Sequence, residues 1–341
     1  MYTTLQPVLQ QELKEIEAAG LFKKERTIVS PQGADIRLAD GKEVINFCAN
    51  NYLGLSSHPK VVEAAKHAID THGYGMSSVR FICGTQDIHR TLETRLARFL
   101  GTDDTILFAA CFDANGGLFE PLLGPEDAVV SDSLNHASII DGTRLSPADV
   151  SIFPHKDLTA LSKFLAERGE RRAIVVSDTV FSMDGDIADV DDLRAICHKH
   201  SALLVLDEAH AALGPHISPE RDDEIIRVGT LSKAVGVVGG FVAGPRIFTD
   251  LLINRARSYI FTTAPSPADT AAAVASIGII QSSEGDKLRA ELQRNIEILR
   301  PGHPSPIIPI MCGTESRALE ASAALLKRGM LVPAIRPPTV A

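Results

Sequence analysis

No stretch of this sequence approaches the ~18 uninterrupted apolar residues that a membrane-spanning helix needs, and residues 1–16 carry Gln and Glu where a secretory leader would be apolar. Secretion and membrane spanning are both unsupported, so a cytoplasmic setting is expected. Cysteine is scarce. The five residues Cys48, Cys83, Cys111, Cys197 and Cys312 are odd in number and scattered, with no CxxC or zinc spacing. That pattern points to reduced thiols and to no metal site. Positive charge is also short, with 34 Lys and Arg against 43 Asp and Glu for a net charge of −9. A nucleic-acid binder would normally carry a basic face, so any site for an anionic ligand has to be built locally. A GxxxxGK[ST] phosphate loop is missing too. The string Asp207-Glu208-Ala209-His210, which serves magnesium and water activation in some nucleotide hydrolases, therefore lacks the partner that reading requires.

What remains is a chain of 341 residues, 45% hydrophobic and 23% charged, long enough for a large core plus a subdomain. Helical spacing of Leu5, Val8, Leu9, Leu13 and Ile16, with Pro7 near the start and Gly20 as a stop, predicts an N-terminal arm helix over 5–20. Apolar, β-branched runs then alternate with helical patterns at 105–110, 128–132, 150–153, 173–178, 202–207, 225–230 and 240–243. Seven nearly continuous hydrophobic strands separated by helices predict an α/β fold with a mostly parallel seven-stranded sheet covered on both faces. After Pro265-Ser266-Pro267 the pattern gives a long helical stretch from 268 to about 298, a strand at 307–311, a helix at 316–328 and a strand at 331–335. The predicted organisation is an arm over 1–45, a large domain over 46–275 and a small αβ domain over 276–341 that ends without a closing helix.

Ligands of such a sheet bind at the carboxyl ends of the strands, and polar residues gather there: Cys111 and Phe112, His136, Ser182, Asp207 and Lys233. Lys233 lies in Thr230-Leu231-Ser232-Lys233, 26 residues beyond Asp207. A lysine amine can hold the aldehyde of pyridoxal phosphate, and a buried Asp at a strand end can keep the pyridine nitrogen protonated. The run Cys111 to Gly117 opens a helical pattern, where free N–H groups and the macrodipole suit a phosphate ester. Each motif alone also has a structural reading: Asp207 as a cap, Lys233 as a solvated turn residue, 111–117 as an ordinary strand-to-helix turn, and His136 as a core histidine. His198-Lys199-His200 reads as a solvated helix end rather than a metal site.

Taken in order, the runs 46–55, 75–86, 111–117, 135–142 and 180–185, with Asp207-Glu208-Ala209-His210 and 230–233, resemble the α-oxoamine synthase family of fold-type I pyridoxal-phosphate enzymes over nearly the whole chain. The resemblance implies Lys233 as covalent anchor and general base, Asp207 at the pyridine nitrogen, His136 stacked on the ring, and His210 with Ser182 beside the phenolic oxygen. It implies that Cys111, Phe112 and Thr230 hold the phosphate, and that Thr262 or Thr263 reaches the phosphate of a neighbouring subunit in a homodimer. Asn50, Val79 and Arg26 are implied to contact the substrates, an amino acid and an acyl-CoA. Residues 20 to about 143 are similar to members that condense glycine with acetyl-CoA. From about 146 onward the chain is similar to members that condense alanine with a pimeloyl thioester. The first activity is favoured because the early segments would line much of the acyl and amino-acid pocket. A catalytically inactive, dimerising homologue is the remaining expectation. Two departures stand against the family pattern: the segment that carries a carboxylate-binding arginine after Pro337-Pro338 is not in this sequence, and the 211–227 loop is short.

Overall fold

The computed structural model of the protein describes residues 2–211, 225–337 and 339–340. Most of the short 211–227 loop, residues 212–224, lies outside the described residues. The chain divides into two compact units, Met1–Ala49 with Pro309–Ala341, and Asn50–Ile308.

In the first unit, helix α1 (Tyr2–Ala18) starts earlier than its periodicity predicts, which leaves Pro7 inside it, and it buries no residue. Strand β1 (Asp35–Arg37) pairs antiparallel with β2 (Glu43–Asn46), and β2 pairs parallel with β10 (Met330–Leu331). This small sheet joins both ends of the sequence. Helix α12 (Glu315–Lys327) begins where the Thr314 side chain accepts from the Arg317 N–H. Ile36, Leu38, Val44 and Leu331 form the core, with Leu326 packed against it. The strand predicted at 307–311 is not formed, and the one at 331–335 shrinks to two residues. Pro306, Pro309 and Pro333 remove the ladder donors and fix φ at those positions.

The larger unit contains α2 (Pro59–His72), α3 (Asp87–Leu100), β3 (Asp104–Phe108), α4 (Cys111–Leu122), β4 (Ala128–Asp132), α5 (Ala137–Leu145), β5 (Asp149–Phe153) and α6 (Leu158–Glu167). It continues through β6 (Ala173–Asp178), α7 (Val190–Lys199), β7 (Leu203–Asp207), β8 (Ile225–Thr230), β9 (Gly240–Gly244), α8 (Arg246–Arg255), α9 (Arg257–Ile260), α10 (Pro267–Ile280) and α11 (Ser283–Leu299). The seven strands lie in the order β3-β9-β8-β7-β6-β4-β5, and only β9 runs against the others. The predicted runs match these strands to within two residues.

Strand side chains alternate between two cores. Val129, Ile174, Val176 and Val205 face one cluster with Leu118 and Phe119 of α4. Ala128, Val130, Val175, Leu204 and Leu206 face the other with Leu161 and Leu165 of α6. Burial on both faces is what makes these strands continuously apolar. The predicted domain boundary after residue 275 needs correction, because it would cut α10. Ile279 and Ile280 are buried with Leu53, Leu55 and Val61, and Leu288 and Leu292 of α11 pack against the same cluster. Apolar contact therefore keeps 276–308 with the large unit. The long helical stretch is two helices, the second capped by the Ser282 side chain accepting from the Glu284 N–H.

Candidate active site

Asp207 ends β7 and is 2% exposed. Its Oδ1 accepts the Ala209 N–H at 2.8 Å, and its Oδ2 accepts the Asn115 side-chain amide at 2.8 Å. The Cys111 Sγ lies 3.9 Å from the same Oδ2. Burial, reinforced by the Asp207 charge, pushes the Cys111 thiol up, so it stays protonated and unsuited to a nucleophilic role. Cys111 is the first residue of α4, whose N-cap, Ala110, offers no side-chain hydrogen bond. The opening N–H groups of this helix are therefore left for a ligand or water. A Cβ on Gly240 would stand 2.4 Å from the Cys111 backbone nitrogen, so β9 can approach the helix start only as glycine.

The Lys233 Nζ lies 2.7 Å from His210 Nε2, and the Tyr52 hydroxyl lies 2.7 Å from His210 Nδ1. Tyr52 also donates to Asn50 Oδ1 at 3.1 Å, which brings the predicted substrate residue Asn50 into the same network. Desolvation lowers the Lys233 amine from its ordinary value, against the pull of Asp207. Desolvation, with Lys233 and then His136 adding to it, holds His210 down at about 3. Burial raises the Tyr52 phenol. The site thus keeps a neutral imidazole and a phenol beside an amine that gives up its proton more readily than a surface lysine does.

His136 caps α5, its Nδ1 accepting the Ser138 N–H. Its backbone N–H donates to Asp178 Oδ2 at 2.8 Å. Burial raises the Asp178 carboxyl well above the usual carboxylate range, and the Asp207 charge adds to this. Desolvation lowers His136, so its ring is neutral near pH 7.

The remaining predicted residues are less closely joined. Ser182 is half-buried in the turn that follows Val180, and no hydrogen bond among the described residues ties it to Lys233 or His210. The Thr230 hydroxyl donates to the Gly239 carbonyl at 3.2 Å and accepts the Ser232 N–H at 3.1 Å, so a phosphate oxygen would compete for its proton. Phe112 is exposed at the α4 start. Val79 and Thr263 form an antiparallel bridge, and Thr262 precedes it, half-buried. Arg26 belongs to the other unit, where it lines a cleft of about 510 Å³ with Lys23, Lys24 and Arg336.

Asn115, Ser138, Asp178 and Tyr52 were given no role by the sequence, although three of them sit inside the recognised runs. Asp178 ends β6 as Asp207 ends β7, so the strand-end rule that singled out Asp207 could have found it.

The donor set suits an aromatic aldehyde bearing a phosphate ester: an amine of lowered basicity, a buried carboxylate, and an uncapped helix start beneath a glycine. Residues 42–341 match the family described as aminotransferase class I and II. A 2-amino-3-ketobutyrate coenzyme A ligase of Salmonella typhimurium is 44% identical over 95% of this chain and 86% of its own length. An 8-amino-7-oxononanoate synthase of Citrifermentans bemidjiense is 40% identical over 97% of this chain and 89% of its own. Among solved structures, a serine palmitoyltransferase of S. paucimobilis with PLP and myriocin bound superposes with a TM-score of 0.90. That pair is 28% identical, covering 100% of this chain and 90% of the other.

Proposed function

The chain belongs to the aminotransferase class I and II family and, within it, to the α-oxoamine synthases, and from that premise we propose that it is a pyridoxal-phosphate-dependent C-acyltransferase that condenses glycine with acetyl-CoA to 2-amino-3-oxobutyrate and free CoA. The observation that carries this reading is the Lys233 amine, desolvated and 2.7 Å from His210, in a site that also holds the buried Asp207. When bound, the cofactor supplies an electrophilic aldehyde and a conjugated ring that delocalises the electron pair left at the substrate's α-carbon.

The chain's own residues do the rest. Lys233 would hold the aldehyde and, as a free amine, would serve as the base for the α-proton. Asp207, whose two oxygens accept from the Ala209 N–H and the Asn115 amide, would pair with the ring nitrogen. The α4 N–H groups of Cys111 and Phe112 would hold the phosphate, with the Thr230 hydroxyl. His136 would cover the ring face, His210 and Ser182 would serve the phenolic oxygen, and Asn50 and Val79 would meet the substrates; Arg26 is proposed as a further substrate residue. In the overall exchange a carbon–carbon bond forms, the thioester C–S bond breaks, and the glycine α-proton is balanced by the proton on the CoA thiol.

Two copies are proposed to share each site, with Thr262 or Thr263 reaching the partner's phosphate. Phe81, Ile82 and Phe261 flank the Val79–Thr263 bridge at 63%, 69% and 69% exposed, a cluster suited to burial by a second copy. A cytoplasmic location fits the fact that, among the described residues, no helix is long and apolar enough to cross a membrane.

The second reading is decarboxylating condensation of alanine with a pimeloyl thioester, favoured by the 40% identity to 8-amino-7-oxononanoate synthase. Measuring CoA release from glycine plus acetyl-CoA against alanine plus pimeloyl-CoA separates the two. Release with the first pair is expected, release with the second alone reverses the assignment, and silence with both supports a non-catalytic homologue. Borohydride reduction followed by peptide mapping is expected to place the cofactor on Lys233.

A further inference from the structure

Two buried residues, Asn115 and Ser138, form a continuous hydrogen-bonded line from His136 to Asp207. The Asn115 amide has two N–H bonds, one directed at Asp207 Oδ2 at 2.8 Å and the other at Ser138 Oγ at 2.9 Å. A carboxylate only accepts, so the amide nitrogen and not the amide oxygen must face Asp207, and this fixes how Asn115 is turned. Ser138 Oγ, already accepting from the amide, lies 2.7 Å from His136 Nδ1. The Ser138 backbone N–H reaches the same nitrogen at 3.2 Å. A ring nitrogen that accepts this N–H carries no proton of its own, which leaves the Ser138 hydroxyl to donate to it.

The line exists because two helices come unusually close. A Cβ at Gly142 of α5 would stand 2.3 Å from the Asn115 carbonyl oxygen on α4. The His136 backbone N–H is held by Asp178. The histidine is exposed, while Asn115 and Ser138 are 0% and 1% exposed. His136 Nε2 makes no hydrogen bond within the protein among the described residues.

We propose that Asn115 and Ser138 are positioning residues that lock His136 as its Nε2–H tautomer, so that one neutral N–H donor is offered from the open side of the ring to an acceptor oxygen of a bound ligand. The same Asp207 carboxylate anchors the line at its buried end, so the orientation of the ring and that of the acidic group are set by one chain of bonds. The tautomer stands on geometry alone. Its use as a donor towards substrate rests on the acyltransferase reading given above.

The test is a long-range ¹H–¹⁵N correlation on the full chain labelled in histidine, with and without pyridoxal phosphate, with the signal of His136 identified by its loss in His136→Gln. The expected result is a pyridine-type Nδ1 and a pyrrole-type Nε2 in both samples. Ser138→Ala is expected to give a measurable Nδ1–H population, and Ser138→Thr, which keeps the hydroxyl, to restore the wild-type pattern. In turnover, Ser138→Ala is expected to lower kcat/KM about tenfold, the effect of one misdirected hydrogen bond, with Ser138→Thr recovering most of it. A pyrrole-type Nδ1 in the wild-type protein overturns the proposal, and so does an unchanged tautomer in Ser138→Ala. An Nε2–H tautomer in a chain that turns over no acyl-CoA supports the proposal and removes the functional reading instead. The wild-type spectrum decides even if a variant fails to fold.

Discussion

Arg227 on β8 grips Glu208, the residue after Asp207, with its Nε and Nη2 each 2.6 Å from Glu208 Oε2. Both residues are almost fully buried, at 3% and 8% exposed, and Arg227 Nη1 also donates to the Leu100 carbonyl at 2.5 Å. The pair ties the Asp207 strand end to β8 and to the end of α3, fixing the floor of the site from its far side.

Arg227→Met leaves the Glu208 carboxylate buried without its partner, which typically costs about 3–5 kcal/mol. Urea unfolding is expected to show that loss. The double variant Arg227→Met with Glu208→Leu is expected to recover most of it, because two apolar groups need no partner. A double variant as unstable as the single one would mean the Leu100 contact dominates.

His210 makes stability fall on acidification. Its folded pKa, about 3, lies below its unfolded value, so between pH 6.5 and pH 3 the unfolded chain binds a proton that the native chain refuses. Stability is lost as pH falls through that window, by at most about 1.4 kcal/mol per pH unit. His210→Gln keeps a neutral polar side chain and is expected to flatten the pH dependence of urea midpoints between pH 6.5 and 4. An unchanged slope would place the acid sensitivity elsewhere.

His155 works in the opposite sense. Its two ring nitrogens lie 3.0 Å from Asp132 and 3.0 Å from Asp186, Lys156 shares the Asp186 oxygen at 3.1 Å, and the ring stands edge-on to Phe181 at 4.3 Å. Burial alone would lower its pKa, but the hydrogen bonds and charges of Asp132 and Asp186 together raise it. A raised folded pKa gives stability that is complete below the unfolded value and is lost as pH rises through the folded one. His155→Gln is expected to remove this loss above pH 6.5. Because Asp186 ends the turn that holds Ser182, the same variant is expected to weaken pyridoxal phosphate binding, readable by fluorescence titration.

The sheet was legible in the sequence because its central strands are buried on both faces, which leaves apolar runs such as 173–176. The short strands of the smaller unit were not, since Pro306, Pro309 and Pro333 sit within or beside runs that look β-like by composition. Lys233, Asp207, His210 and His136 could be picked out because each lies at or just after a strand end inside a recognisable string. Asn115 and Ser138 acquire meaning only through α4 packing on α5, and Tyr52 only by reaching His210 across 158 positions. Contacts of that kind leave no local pattern to read.

Gly240 and Gly116 give a paired test of the phosphate reading. Gly240→Ala drives a methyl group to 2.4 Å from the Cys111 nitrogen and 2.5 Å from the Ala110 carbonyl carbon, both backbone atoms that cannot swing aside. The β9 backbone or the start of α4 must move, an overpacking cost of about 1–3 kcal/mol. A Cβ at Gly116, one turn further along the helix, meets nothing within 4 Å. Gly116→Ala is therefore expected to stabilise the protein by about 0.5–1 kcal/mol through helix propensity. If the α4 N–H groups hold the phosphate, Gly240→Ala must also weaken pyridoxal phosphate more than it weakens pyridoxal, because only the former has an ester for those groups to bind. Titration of both compounds reads this directly, and an equal loss for the two would remove the phosphate from the start of α4.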